Sequence, residues 1–197
     1  MRFITLSLVL LSYVSAAFLP GKLKGNIAQA AQNTKKLIQE EKVKFYLSLG
    51  QLIVSSDVVN KEELEKWKDF IIEWTPQAST LVEDYAALQQ FSAQKEMLLV
   101  GKDDDLLNQY TNGEFQRLRN SHMNTCNRLY IAFKFAARNM IRESTDPPGH
   151  SNSIVRYFNA FARSKPNVRE HHFENLFNLL TLEGVELDEW LAIQNMM

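Results

Sequence analysis

Cysteine is nearly missing: Cys126 stands alone among 197 residues, so no disulfide can form within the chain and stability must come from core burial. Glycine and proline are thin as well, seven and five residues, which suits long helices better than the many turns of a β-sandwich. Past the N-terminal stretch, no apolar run is long enough to span a bilayer. Neither sign of charge dominates. With 22 Lys and Arg against 23 Asp and Glu, the balance gives no electrostatic reason to expect nucleic acid or an anionic membrane as a partner. Gly-rich phosphate loops, GxSxG elbows, HExxH and Asn-x-Ser/Thr acceptors do not occur. The chain therefore reads as non-enzymatic.

Apolar side chains are plentiful: 45% of the chain is hydrophobic, with 12 Phe, 6 Tyr and 3 Trp to fill a core. The first residues address a compartment. Met1 and Arg2 give a short positive start, residues 3–11 an apolar stretch too short to span, and Tyr13-Val14-Ser15-Ala16-Ala17 the small residues that a signal peptidase needs. Residues 1–17 are thus expected to be a signal peptide, cut after Ala16 or Ala17, and the mature product to be secreted and extracellular. Residues 18–197 read as one α-helical domain, with 146–197 a candidate C-terminal subdomain beyond the break at Thr145-Asp146-Pro147-Pro148-Gly149-His150.

The organising element is a helix predicted over 115–144. Apolar or small residues fall at Phe115, Leu118, His122, Cys126, Leu129, Phe133, Ala136 and Met140. That spacing keeps one side of an α-helix apolar over about seven turns. Ile131, Phe135 and Ile141 are expected to widen the buried stripe, while Arg117, Arg119, Arg128, Lys134, Arg138 and Arg142 carry the opposite flank.

Other helices are predicted around it. One runs over 26–53, weakened near its end by Gly50. Asn60 caps the next, with Glu63 answering three residues on, and Leu64, Trp67, Ile71 and Trp74 form its face. Thr75 is expected to cap a third helix, with Pro76 in its first position, running through Leu81 and Tyr85 towards Val100. Gly101 breaks it, and Asp103 to Asp105 open another. Asn112-Gly113 marks a turn. Later helices are expected around 154–161, from a cap at Asn167 through Phe173 and Leu180, and after Gly184 through Leu187, Trp190, Leu191 and Ile193. No stretch alternates apolar and polar residues in strand fashion. The expected fold is all-α, an irregular multi-helix bundle of about six to eight helices.

Few residues point to chemistry. Asp103, Asp105 and Glu114 fall at positions one, three and twelve of a calcium loop, but Leu107 and Asn108 sit where that loop needs a ligand and a Gly. They form a candidate Ca²⁺ or Mg²⁺ set outside the EF-hand pattern, and the plainer reading is a solvated helix start. No other cofactor is expected. His122 and Cys126 share a helix face, yet zinc needs a third and fourth ligand and no second pair supplies them. His171 and His172 are adjacent, so they point about 100° apart on a helix. Trp67, Trp74, Tyr85 and Phe133 are candidates to line an apolar ligand pocket, and would serve equally as plain core. The partners these residues allow are a small apolar ligand or another protein.

Residues 45–85 resemble the secreted SXP/RAL-type helical proteins of nematodes, in which an aromatic-apolar helix, a joint and an acidic helix reaching a Trp follow one another. The matching residues are Phe45-Tyr46, the joint over 55–60, and Glu62-Glu63-Leu64 leading to Trp67. The resemblance implies a non-enzymatic, cation-binding helical protein, and places none of the family's ligands on particular residues. A second likeness, to nematode fatty-acid and retinol carriers, rests on Val43-Lys44-Phe45-Tyr46 and on Thr75-Pro76. It implies an extracellular carrier of a small apolar ligand.

Overall fold

A computed structural model describes residues 23–143 and 148–181, with the side chains at 148–153 left aside. The signal peptide expected at 1–17 and the amphipathic piece expected after Gly184 lie outside the described residues. Those described are all-α, seven helices and no strand: α1 (Leu23–Val54), α2 (Lys61–Trp74), α3 (Tyr85–Leu99), α4 (Asp104–Tyr110), α5 (Glu114–Glu143), α6 (Pro148–Arg163) and α7 (Arg169–Thr181). A short 3₁₀ turn (Pro166–Val168) precedes the last.

The caps explain most of the boundaries. Asn60 accepts the Glu63 N–H at 3.0 Å and opens α2 as expected. The reciprocal half of the motif does not form, because the Glu63 carboxylate instead takes the Trp67 Nε1–H at 2.8 Å and the Lys102 ammonium at 2.9 Å. Thr75-Pro76 does not start a helix. Residues 75–83 form successive turns, pinned by the buried Leu81, and α3 begins only after Asp84, whose side chain accepts the Ala87 N–H at 3.0 Å. Asp in extended backbone out-competes Thr75, which is itself still helical and donates its N–H to Ile71. Gly101, at φ 73°, then stops the chain after α3. Asp103 caps α4, and Asn112 and Gly113, at φ 51° and 87°, turn it into α5. The buried Thr111 hydroxyl accepts the Phe115 N–H at 2.9 Å across that turn. Asn167 is no cap: the 3₁₀ turn feeds straight into α7, with the Arg169 N–H on the Pro166 carbonyl.

The chain divides into two compact units whose boundaries fall inside α1 and α5. One is Lys36–Cys126. Its core gathers Leu49, Ile53, Trp67, Phe70, Trp74 and Phe91, with Leu107 and Phe115 closing the end towards α4 and α5. Gly50 lets α2 come close to α1, since a Cβ there would lie 3.1 Å from both Ile71 and Trp67.

The other unit holds the described residues of Met1–Lys35 and Asn127–Met197. Four rings make its centre: Phe173 meets Phe133 edge-on at 5.2 Å and Tyr130 at 5.2 Å, while Phe161 lies 5.5 Å from Phe133. Lys35 adds a cross-link, bonding Glu174 at 2.7 Å and lying 4.1 Å from the Phe177 ring centre. Arg169 ties α7 to α5 through Asn127 at 3.1 Å. On α5 the buried stripe is narrower than expected on one side and wider on the other. Ile131 and Phe135 are exposed, and Tyr130 and Ala137 are buried in their place.

Candidate functional site

The unit of Lys36–Cys126 contains a groove between α2 and α3, about 550 Å³ in volume. Phe70 and Leu98, both buried, make its floor, and Met97 and Val100, each 75% exposed, form a lip of apolar side chains in water. α2 contributes Glu63, Lys66, Asp69 and Glu73 at spacings of three and four, which put them on one flank of that helix. The opposite flank, Leu64, Trp67, Ile71 and Trp74, turns towards the core.

Two side-chain bridges cross from α2 and close the groove at its ends. At one end the Glu63 carboxylate binds Lys102, whose ammonium also meets the Leu98 carbonyl. Both side chains of that pair are mostly shielded, and the Trp67 indole N–H backs the carboxylate from beneath. At the other end Gln94 of α3 accepts the Trp74 Nε1–H at 2.6 Å and donates its amide to Glu73 at 3.0 Å. Each buried tryptophan thus spends its polar atom on a groove wall, which fixes the wall and satisfies the indole. Lys66, also in the lining, bonds Glu62 at 2.7 Å, and that bond and charge hold the Glu62 carboxyl below its ordinary pKa and the Lys66 ammonium above it.

The residues singled out from the sequence are dispersed. Trp67 and Trp74 lie under the groove, while Tyr85 is 75% exposed at the start of α3 and Phe133 belongs to the other unit. Asp103 is occupied as the α4 cap, accepting the Leu106 N–H at 2.9 Å. Asp105 is exposed on the first turn of α4, and Glu114 lies 3.6 Å from Arg117 on α5. Between Asp103 and Glu114 the backbone is a helix and a tight turn, not a loop wrapped around an ion. Among the described residues no three His, Cys, Asp or Glu side chains are placed to hold one metal ion.

His122 lies against Cys126, its two ring nitrogens 3.8 and 3.7 Å from the sulfur, and stacks on Phe45 at 4.8 Å. His122 and Phe45 line a small depression of about 120 Å³ between α1 and α5, which shares Ser48, Leu118 and Ser121 with a second groove of about 520 Å³ lined also by Gln51, Leu52, Ser55, Glu114 and Arg117. His171 and His172 have ring centres 5.7 Å apart, and His171 pairs with Asn175 at 3.1 Å.

Sequence reasoning missed Asp69, Glu73, Gln94, Met97 and Lys102. Asp69 and Glu73 were legible as an i, i+4 pair beside the tryptophan stripe. Gln94 and Lys102 were not, because their role depends on the register between two helices. Comparison of the chain with protein-family models, curated proteins and solved structures finds no match.

Proposed function

We propose that the protein is an exported, non-enzymatic helical binding protein of the SXP/RAL kind, and that the α2–α3 groove is where it holds its ligand. The observation that carries this reading is the exposed pair Met97 and Val100 over a buried floor of Phe70 and Leu98, with walls fixed by the two indole hydrogen bonds. Apolar side chains kept in water beside a preformed depression of this size are what a small-molecule site requires. The helix–joint–acidic helix order from Phe45 to Trp67 supports the family reading.

The alternative reading, a carrier of a small apolar ligand such as a retinoid, would also use this groove. In the core the rings fill their own space: Phe91 lies 5.2 Å from Phe70 and 5.7 Å from Trp74. A Ca²⁺ or Mg²⁺ role for Asp103, Asp105 and Glu114 has less support, since the first is a helix cap and the last adjoins an arginine.

The test is titration with a neutral fluorescent naphthylamine dye. Dye emission should shift to the blue on binding, and Met97→Asp should weaken binding about tenfold or more by placing a charge on the lip. Ile72→Asp, at an exposed position outside the groove, should leave it unchanged. Equal effects of the two substitutions would refute the assignment.

A further inference from the structure

We infer that the ligand of this groove is a cationic amphiphile, a short apolar tail bearing an ammonium or guanidinium head. The inference rests on the groove reading above and names the chemistry it selects. Among the carboxylates that line the groove, Glu63 is satisfied by Lys102 and Trp67. The other two, Asp69 and Glu73, stand one helical turn apart on the same flank of α2, both exposed. Like charges at that spacing repel one another. Gln94 gives Glu73 a neutral amide, and the described residues provide no ion pair for either carboxylate. The remaining lining cation, Lys66, is paired with Glu62 at 2.7 Å, which leaves Asp69 and Glu73 as the lining charges without an ion pair among the described residues. A cation between Asp69 and Glu73 would relieve their repulsion while its tail covered Phe70, Met97 and Val100.

The ends of the groove define the size of the occupant. The Glu63–Lys102 bridge reaches from α2 to the turn after α3, and the Glu73–Gln94 bridge reaches α3 itself, their α2 ends ten residues apart. Ten residues of α-helix rise about 15 Å. A ligand must fit between these bridges, which suits a medium alkyl chain and obstructs a peptide that needs to run through. Charge also disfavours an anionic fatty acid, whose head would meet the same two carboxylates.

The full chain should be titrated at low ionic strength with three amphiphiles sharing a dodecyl tail: the trimethylammonium, the sulfate and the maltoside, each below its micelle concentration. The cationic one should bind at least about fivefold tighter than the neutral one, and the anionic one weakest. Asp69→Asn with Glu73→Gln should bring the three within about twofold, with an unchanged melting temperature showing that the fold is kept. Salt at 0.5 M should shrink the preference in the unmodified protein, as roughly expected when exposed charges are screened. Equal binding of all three heads, or a preference for the sulfate, overturns the charge inference and leaves the groove reading standing. If none binds and the neutral dye does not bind either, both fall. An amphipathic Lys/Leu peptide that binds where the amphiphiles do not overturns the small-ligand assignment.

Discussion

Gly50→Ala sets two effects of known size against each other. Gly50 lies in the last turns of α1, where exchanging glycine for alanine normally gains about 0.5–1 kcal/mol of helix stability. Here the added methyl would lie 3.1 Å from Ile71 Cγ1, 3.1 Å from Trp67 Cε3 and 3.3 Å from Ile71 Cδ1. Carbon atoms settle at about 3.5–4.0 Å, so several tenths of an ångström must be found. Ile71 is only half-buried and can turn. Trp67 cannot: it is fully buried, its indole N–H is bonded to Glu63 at 2.8 Å, and Phe70 meets it edge-on at 5.9 Å. Overpacking of that kind costs about 1–3 kcal/mol, which exceeds the propensity gain. The net expectation is a loss of about 1 kcal/mol. Gly25→Ala in the same helix is the control, since nothing lies within 4 Å of a Cβ there and only the gain should appear. Urea unfolding followed by dichroism at 222 nm should place the two variants on opposite sides of the parent. If Gly50→Ala is as stabilising as Gly25→Ala, the close approach of α2 to α1 is not what the structure shows. Trp67→Phe in the Gly50→Ala background should recover part of the packing cost, since the smaller ring makes room.

Asn60→Ala should cost about 1 kcal/mol by urea unfolding, the usual loss for a helix cap whose side chain accepts a backbone N–H. Gly101→Ala should destabilise by about 1 kcal/mol in the same assay, because φ is 73° there and an L-residue is strained at that angle even with open space around its Cβ. The Lys36–Glu83 bond, with its charge attraction, lowers the Glu83 carboxyl pKa and raises that of Lys36. The stabilisation Glu83 contributes is present above the ordinary carboxylate pKa of 4.5 and fades as pH falls through its lowered folded value. That from Lys36 is present below 10.5 and fades as pH rises through its raised one. Carbon-detected NMR titration of Glu83 should give a midpoint below 4.5 that returns to the ordinary range in Lys36→Gln; an unmoved midpoint would show that the pair is not formed in solution.

What was legible follows from the range of the interaction. Helix identity and most helix starts are decided within a few residues, so Asn60, Asp103, Gly101 and the Asn112-Gly113 turn could be read directly. The failures share a cause. Thr75-Pro76 is a sound local start, but the buried Leu81 draws residues 75–83 into turns, and Asp84 then offers the better cap. The Glu63 half of the capping motif is lost to Trp67 and to Lys102, a residue 39 positions away whose approach no local pattern announces. In both cases a tertiary contact outbids a local one of similar strength.

The candidate site follows the same logic more strictly. Aromatic character alone groups Trp67, Trp74, Tyr85 and Phe133, yet the fold sorts them otherwise: Trp67 and Trp74 are buried in one unit, Tyr85 of that unit is exposed to water, and Phe133 is buried in the other. The stripe on α5 shows how narrow the margin is. Ile131 and Tyr130 are neighbours, about 100° apart on the helix, and helical period alone admits either at the edge of a wide apolar face. Tyr130 is chosen because Phe161 and Phe173 lie 6.1 and 5.2 Å from its ring, and both come from helices further along the chain. A groove is harder still to foresee, being defined by what two helices leave unfilled between them. The reliable trace it leaves in a single sequence is charge on the flank of a buried stripe, and Asp69 and Glu73 beside Trp67 and Trp74 are that trace. A near-neutral total charge concealed it, since a balance of 22 against 23 says nothing about where each sign is placed.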